Sequence, residues 1–564
     1  MEAAFEPYLF VGGIGQLVWK SFIGRKPKDN GQNWTLVMPT HGYLPRINES
    51  NVVQHLTTFH YSISMDLDRS VWPEEVSGDH EIETKVYEVT VQGYRVLMFS
   101  NDFLDSFSAS LYPPFSIQGK DVHFYKQIVF QMDLFHYFKN IKESSIIHLE
   151  DAGLSFLSTP LLKSLTNHRV IVGLHDAKLW ENSFSEKTVN SLLKPFGLSL
   201  QVHRNGSRND VECLNYDKSL PKSFTDEEWK SILGSLFSHD DSIFFTNIHE
   251  LKENGYWTRR NLSTEEQNRF DWILNSIDTS RFDEVASWEK YQSSVIPFHS
   301  LLGRADKFTT DSVGHLEHLK SFEGSPYQTL YRKDFTESLG KDVRSGKFVP
   351  VPLGLSEEWY RETEEVPGNC TFRVFHNARW DPYHKGQYEL IRAIEAVLNR
   401  GSNLKFFLSM VTREKINFPL LEELKGKFPD QFEYTFEYLS VVEIKKIIKE
   451  SDFVISPSKN GMEGFNLSVG EAMCLGAIPI LSSQKSLMHW FEELPSEKHR
   501  LPEVYGNSSN EILQKSIEIS LEYFEQLESE EIAVLKKKSQ ETAQKYSLSK
   551  YTKRLVDLYD SIEY

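Results

Sequence analysis

Two carboxylates in the last third of the chain are the first candidates for binding chemistry. Glu463 and Glu471 follow an apolar run at residues 452–456, and the residues after the first are Gly464, Phe465, Asn466 and Leu467. Gly464 favours a turn, and free amides at the start of the helix expected next would hold a pyrophosphate. Carboxylates accept hydrogen bonds from sugar or ribose hydroxyls. If both glutamates are helical, their separation places them within about 80° on one helix face. A solvated amphipathic helix would show the same spacing.

Two cations lie on a second segment that could carry chemistry. Arg379 and Lys385 follow an apolar run at residues 371–376 and precede a predicted helix. They could neutralise a departing diphosphate, because the arginine offers a planar fork of donors and the lysine a point charge. Two solvated cations on a surface loop would read the same way.

Glycines and histidines add three weaker candidates. Gly12 and Gly13 precede an apolar stretch, where they would let the backbone approach an anion; an ordinary glycine turn before a helix is the alternative. His175 and His148 each lie at or near the end of a predicted strand, at the edge where ligands bind to open α/β sheets. A hydrogen-bonded structural role explains a lone histidine equally well.

Several familiar catalytic motifs are absent from the sequence. It contains no Gly-X-Ser-X-Gly, no Gly-X4-Gly-Lys-Ser/Thr and no His-Glu-X-X-His. This argues against a serine hydrolase, a P-loop ATPase and a zinc protease. A nicotinamide-dependent enzyme is also disfavoured, because no predicted strand is followed by Gly-X-Gly-X-X-Gly.

The elements that must position these residues form two alternating series. Short apolar runs predict buried strands, which lie at 34–41, 95–100, 145–149, 170–175, 306–310, 371–376, 405–410, 432–438, 452–456 and 477–482. Helical spacing predicts helices at 122–139, 388–398, 442–448 and along most of 510–564. Strands alternating with helices indicate parallel, doubly wound sheets.

The spacing of these series predicts an α/β protein with two Rossmann-like domains facing across a cleft. We expect an N-terminal domain over 1–360 and a C-terminal domain over 361–540, joined by a charged segment at 357–368 that ends in Pro-Gly. Residues 177–300 are polar and predict a large insertion with its own helices, for example at 264–277. Residues 541–564 predict a final helix.

Composition excludes several kinds of partner. The 564 residues include 62 Lys+Arg against 80 Asp+Glu, a net charge of −18, which disfavours binding to nucleic acid or to anionic membranes. No window reaches the roughly 18 apolar residues of a membrane span, and the first residues lack a basic secretory region. The three scattered cysteines favour neither disulfides nor zinc, so we expect a cytoplasmic location.

Taken together, these motifs resemble the glycogen and starch synthases of the GT-B glycosyltransferase superfamily. Residues 305–312 (Ala-Asp-Lys-Phe-Thr-Thr-Asp-Ser) are similar to that family's Ala-Asp-X-Val-Thr-Thr-Val-Ser, and 463–471 to its Glu-X7-Glu. Further similar segments follow the family's order, at 7–15 (Pro-X-X-Lys-Val/Thr-Gly-Gly-Leu-Gly in the family, with Phe10 in place of the lysine), 350–359, 379–386 and 546–559. The family's His-Asp-Trp-His survives only in part, within residues 148–151.

The resemblance implies a retaining glucosyl transfer from ADP- or UDP-glucose to an α-1,4-glucan, without a metal or other cofactor. Arg379 and Lys385 would stabilise the departing diphosphate. Glu463 would bind sugar hydroxyls or stabilise the cationic centre, and Glu471 would hold the ribose.

The resemblance also implies that His175 contacts the donor sugar, while Gly12, Gly13 and the backbone at 464–467 line the phosphates and glucose. The final helix would cross back onto the first domain. Three alternatives remain open: a small acceptor, a lipid-linked acceptor, or a catalytically silent glycan-binding subunit. Homo-oligomerisation is also open.

Overall fold

The computed structural model describes most of both expected domains. It covers residues 13–23, 34–65, 78–105, 122–175, 183–185, 295–297, 305–320, 345–360, 372–504 and 510–562, except for 46, 48–51, 92, 152–154, 156, 166, 413–415, 417, 460–462 and 495–496. The helix predicted at 264–277, and Gly12, lie outside the described residues.

The described strands form three larger sheets and one short pair. They are β1 (Thr35–Pro39), β2 (Val53–Met65), β3 (Gly78–Val91), β4 (Tyr94–Ser100), β5 (Ser145–Glu150), β6 (His168–Leu174), β7 (Ser183–Ser185), β8 (Val295–Pro297), β9 (Lys307–Thr310), β10 (Phe348–Pro350), β11 (Arg373–Arg379), β12 (Lys405–Val411), β13 (Phe432–Thr435), β14 (Phe453–Ser456), β15 (Ile478–Ser482) and β16 (Arg500–Leu501). Each of the ten predicted strands is confirmed, with shifts of one to three residues at its ends.

The described helices separate or flank these strands. They are α1 (Gly13–Ile23), α2 (Asp102–Asp105), α3 (Val122–Phe138), α4 (Ser158–Lys163), α5 (Val313–Lys320), α6 (Pro382–Lys385), α7 (Gln387–Asn399), α8 (Pro419–Lys427), α9 (Val441–Lys449), α10 (Leu467–Cys474), α11 (Asn510–Glu525), α12 (Ser529–Gln544) and α13 (Leu548–Asp560). Among them, no helix combines the length and the apolar character needed to cross a membrane.

The first sheet corrects the expectation of parallel strands throughout the N-terminal half. Its order is β1-β4-β3-β2, with β1 parallel to β4 but β3 antiparallel to both β4 and β2. The sequence analysis missed β2 and β3, because along much of these strands buried residues alternate with exposed ones instead of forming apolar runs. Such alternation is typical of an antiparallel sheet with one face in water.

The other two large sheets are parallel and carry the site at their carboxyl ends. One has the order β10-β9-β6-β5, and the other is six-stranded, β13-β12-β11-β14-β15-β16. Strand β6 is buried along almost its whole length, which explains its continuous apolar run. In the insertion, β7 and β8 pair antiparallel.

The final helix α13 lies against the N-terminal half. Leu355 exchanges main-chain hydrogen bonds with Tyr546 (2.7 Å) and Leu548 (2.8 Å), just before and at the start of α13. The approach is so close that a Cβ on Gly354 would lie 2.5 Å from the Leu548 Cα. Farther along, the ring of Tyr559 lies 5.3 Å from the ring of Trp34, beside β1.

Candidate active site

The loop between β14 and α10 places Glu463 outside any helix. Helix α10 begins only at Leu467, and its N-cap is Asn466, with φ of 64° in the left-handed region. The Asn466 side chain accepts a hydrogen bond from the Val469 amide, as expected of an N-cap asparagine. The condition that put both glutamates on one helix face is therefore not met: Glu471 is helical and Glu463 is not.

Glu463 instead pairs with Lys385 across the carboxyl ends of β11 and β14. Its carboxylate accepts hydrogen bonds from the Lys385 ammonium and, at 2.7 Å, from the Ser458 hydroxyl. Burial alone would raise the pKa of Glu463, but Lys385, Ser458 and, at longer range, Arg379 outweigh it and hold the pKa below its ordinary value. The carboxylate is thus ionised at neutral pH and held by two donors.

Lys385 owes its position to a break between two helices. Asp381 caps α6, accepting from the His384 amide (3.3 Å), and Gly386 then takes a φ of 65° before α7. A Cβ on Gly386 would collide with the Pro457 carbonyl, so both the backbone angle and the space require glycine.

Arg379 at the end of β11 presents its guanidinium to solvent. The side chain is 65% exposed, and Nη2 lies 3.2 Å from the Asp381 carboxylate. We call Arg379, Lys385 and Glu463 the C-terminal wall. The C-terminal wall combines an exposed guanidinium with a partly buried ion pair.

His175 at the end of β6 lies between two carboxylates. Its Nδ1 is 2.8 Å from Asp311 Oδ1, and its Nε2 is 2.8 Å from Glu150 Oε2. Burial alone would lower the pKa of His175, but Asp311 and Glu150 raise it well above its ordinary value. The ring is therefore an imidazolium that donates from both nitrogens. We call Glu150, His175 and Asp311 the N-terminal wall.

The two walls meet at Gly464. A Cβ on Gly464 would lie 2.5 Å from Asp311 Oδ2 and 2.7 Å from the His175 carbonyl oxygen, so only glycine allows this approach. The Ser312 hydroxyl lies 3.3 Å from the Gly464 carbonyl oxygen and donates to the Ser486 carbonyl at 3.0 Å. The described structure thus brings Glu463, Gly464 and His175 into one region.

Glu471 lies in a different environment from Glu463. Burial raises its pKa to about 7, against the opposing effect of Lys20, while Glu358 raises it further. Lys20 is a residue of α1 and forms an ion pair with Glu358. Gly13 is the first residue of the same helix, so α1 connects the predicted glycine turn to the surroundings of Glu471.

The three other residues predicted to contact the donor, Phe465, Asn466 and Leu467, differ in how deeply they are buried. The ring of Phe465 is buried against His489 (4.7 Å) and Trp490 (4.8 Å), and its carbonyl accepts from the Trp490 indole at 2.7 Å. Its side chain is therefore part of the core and does not face the cleft. Asn466 and Leu467 are half-buried at the start of α10.

Sequence reasoning did not assign Asp311, Glu150, Lys20 or Glu358 to the site. A signal existed for Asp311, because it directly follows β9 just as His175 follows β6. No sequence signal linked Lys20 to Glu358, which is 338 positions away. Among the described residues, no group of three histidines, cysteines or acids is arranged to hold a metal.

Comparisons with known proteins bear on the fold and on one segment of the chain. Residues 371–492 match the family model of glycosyl transferases group 1. The catalytic domain of starch synthase IV from Arabidopsis thaliana, bound to ADP and acarbose, is similar at 14% identity and a TM-score of 0.56, covering 98% of this chain and 96% of that one. No curated protein shows a significant match.

Two trehalose-6-phosphate proteins are more distant. One from E. coli bound with UDP-2-fluoro glucose has 12% identity and a TM-score of 0.45, covering 85% of this chain and 90% of that one. An alpha,alpha-trehalose-phosphate synthase from Burkholderia xenovorans in complex with glucose-6-phosphate has 11% identity and a TM-score of 0.46, covering 87% and 91%. Likenesses this weak do not bear on the site.

Residues 371–492 are thus similar to glycosyl transferases group 1, and the chain has the GT-B fold, with two Rossmann-like domains across a cleft. The likeness to a starch synthase structure agrees with the fold that the resemblance implied.

Proposed function

We propose that the protein is a retaining glucosyltransferase that uses ADP- or UDP-glucose to extend an α-1,4-glucan. The observation that carries the proposal is the partly buried Lys385–Glu463 ion pair beside the exposed Arg379, in the loops that precede α7 and α10. All three residues lie within the segment that matches glycosyl transferases group 1. A cationic fork and a point charge suit a departing diphosphate, whose negative charge grows in the transition state.

In this proposal the two domains divide the substrates, except that His175 of the N-terminal wall contacts the donor sugar. The domain over 361–540 binds the nucleotide-sugar, with Glu463 on sugar hydroxyls and Glu471 on the ribose, and the domain over 1–360 receives the acceptor. Residues 541–564 couple the two, as the contacts of α13 with Leu355 and Trp34 suggest. The likeness to a starch synthase bound to ADP and acarbose supports a glucan acceptor. The scattered cysteines fit a cytoplasmic enzyme.

The test is nucleotide release from ADP-glucose and from UDP-glucose, each with and without glycogen. Release that depends on glycogen supports a glucan synthase and names its donor. Release that depends instead on an added sugar phosphate supports transfer to a small acceptor. Activity should persist in a chelator, since no metal is invoked.

Two variants connect the assay to the site. Glu463→Ala should abolish release, whereas Lys553→Met, at an exposed position on α13, should not change it. If Glu463→Ala turns over normally, the assignment of Glu463 is wrong. If neither donor is cleaved by the native chain, a silent glycan-binding subunit becomes the better reading.

A further inference from the structure

The N-terminal wall contains a carboxylate that the sequence comparison did not lead us to expect. Asp311 occupies the position of the second valine in the family segment Ala-Asp-X-Val-Thr-Thr-Val-Ser. An aspartate there is costly unless it is paired, because its side chain is only 5% exposed. The partners of the Asp311 carboxylate therefore indicate the role of this residue.

Asp311 makes two separate contacts with its two oxygens. Oδ1 accepts from the His175 ring at 2.8 Å, and Oδ2 faces Gly464, where a Cβ would lie 2.5 Å away. One carboxylate thus connects the His175 ring of the N-terminal wall to the loop that carries Glu463. Valine at this position could fill the space but could not accept the imidazole proton.

Glu150 completes the arrangement from the opposite side of the ring. It accepts from His175 Nε2 at 2.8 Å, and its other oxygen lies 3.8 Å from His148 Nδ1. Asp151, the next residue, contributes further negative charge near Asp311. Burial raises the pKa of Asp311, and Glu150 and Asp151 raise it further, whereas the His175 ring lowers it. Two carboxylic acids against one imidazole make this cluster acidic.

We propose that Asp311 is a positioning residue of the donor site: with Glu150 it holds the His175 ring as a fixed imidazolium, and the acidic wall so formed selects donors whose sugar is a neutral hexose. The second half of this inference rests on the proposed function. A hexuronate donor would bring a second negative charge against the wall, where like charges are strongly unfavourable.

The charge state of His175 can be tested without any substrate. The full chain labelled with 15N-histidine should show both His175 ring nitrogens protonated at about pH 8, well above the ordinary histidine pKa of about 6.5. The signal is assigned by its loss in His175→Gln. In Asp311→Asn the ring should become neutral at the same pH. A neutral His175 ring in the native chain, or an unchanged signal in Asp311→Asn, overturns the proposal that Asp311 and Glu150 hold His175 as an imidazolium.

Selectivity is tested by comparing UDP-glucose or ADP-glucose with the matching hexuronate donor. Asp311→Asn should lower kcat/KM for the glucose donor by about tenfold, the effect of losing a hydrogen bond to a charged group, mainly through kcat. The ratio of kcat/KM for the glucose donor to kcat/KM for the hexuronate donor should fall by at least about tenfold. Unchanged discrimination overturns the role in selectivity.

Two further variants separate positioning from folding. Glu150→Gln should reproduce the change in the His175 signal, because it removes charge and keeps shape. Asp306→Asn is the matched control: Asp306 begins the same segment but pairs with Lys163 (2.9 Å) and the Val170 amide (2.7 Å) at the far end of the strand. It should lower stability while leaving the His175 signal and the selectivity unchanged. If neither sugar nucleotide is used, the proposed function fails. The His175 experiment still tests whether Asp311 and Glu150 hold the ring as an imidazolium.

Discussion

The N-terminal wall places one cation between two acids, whereas the C-terminal wall places one acid among cations. In the first, Glu150 and Asp311 raise the pKa of His175; in the second, Lys385 lowers the pKa of Glu463 against the effect of burial. Both charges are buried and both survive, because each has partners within hydrogen-bonding distance. In the proposed function the two walls therefore have opposite tasks: the C-terminal wall presents cations to the phosphates, and the N-terminal wall fixes an acidic face beside the sugar.

The C-terminal wall should be the more sensitive of the two. Lys385→Met removes a cation from the proposed diphosphate site and leaves the buried Glu463 carboxylate without its ammonium partner. We expect kcat to fall by about 10²–10³-fold, the effect of deleting one electrostatic donor to a transition state. Steady-state kinetics with the better donor would measure this. A rise in KM with kcat unchanged would contradict a transition-state role, and Lys553→Met is the control.

The N-terminal wall can be broken sterically, without touching a charge. A Cβ on Gly173 would collide with the Glu150 carboxylate and would lie 3.3 Å from His175 Nε2. Because that carboxylate is the end of a flexible side chain, Gly173→Ala should displace it from His175 and disturb the imidazolium, at a cost of about 1 kcal/mol in unfolding free energy, the lower end of overpacking. Urea unfolding measures this cost. Gly426→Ala, where a Cβ has nothing within 4 Å, should not destabilise the protein.

Glu471 should produce two opposite pH dependences. Its folded pKa of about 7 lies above the ordinary 4.5, so the folded chain holds the proton more tightly than the unfolded chain. The unfolding free energy should thus fall by about 2 kcal/mol as pH rises from about 4.5 to about 7. Binding of the ribose should strengthen over the upper part of this range, since the ionised acid is the better acceptor.

Glu471→Gln should remove the contribution of Glu471 to both pH dependences, that of the unfolding free energy and that of ribose binding. Urea titrations and nucleotide titrations at a series of pH values would measure them. If the slope of stability is identical in Glu471→Gln and the native chain, the environment assigned to Glu471 is wrong.

The Lys20–Glu358 pair should have the smallest effect. It joins α1 to the segment after β10, but Glu358 is 40% exposed, so water weakens the attraction. A double-mutant cycle with Lys20→Met and Glu358→Gln should give a coupling of about 0.5 kcal/mol in unfolding free energy. A coupling of several kcal/mol would show that this contact holds the two halves together as firmly as the walls do.

Much of the fold could be predicted because buried parallel strands have continuous apolar runs. Strands β6, β11, β12 and β15 were all found in this way. Strands β2 and β3 were missed because their burial alternates with position, and a search for runs does not detect alternation. The sequence alone did not show that α10 begins at Leu467 and leaves Glu463 outside the helix, because the left-handed backbone of Asn466 is one that asparagine tolerates but does not require.

The sequence by itself determined the two parallel sheets, because local patterns show which strands are buried and how they follow one another along the chain. It also placed Arg379, Lys385, His175 and Glu463 at or after the carboxyl ends of these strands. Only the tertiary structure decided which of these residues meet. Lys385 and Glu463 are 78 positions apart and His175 and Asp311 are 136 apart, so their pairing depends on how strands stack and how closely Gly464 and Gly386 allow the backbone to approach. Charge state followed from the same contacts, since a pKa is set by neighbours in space and not by neighbours in sequence.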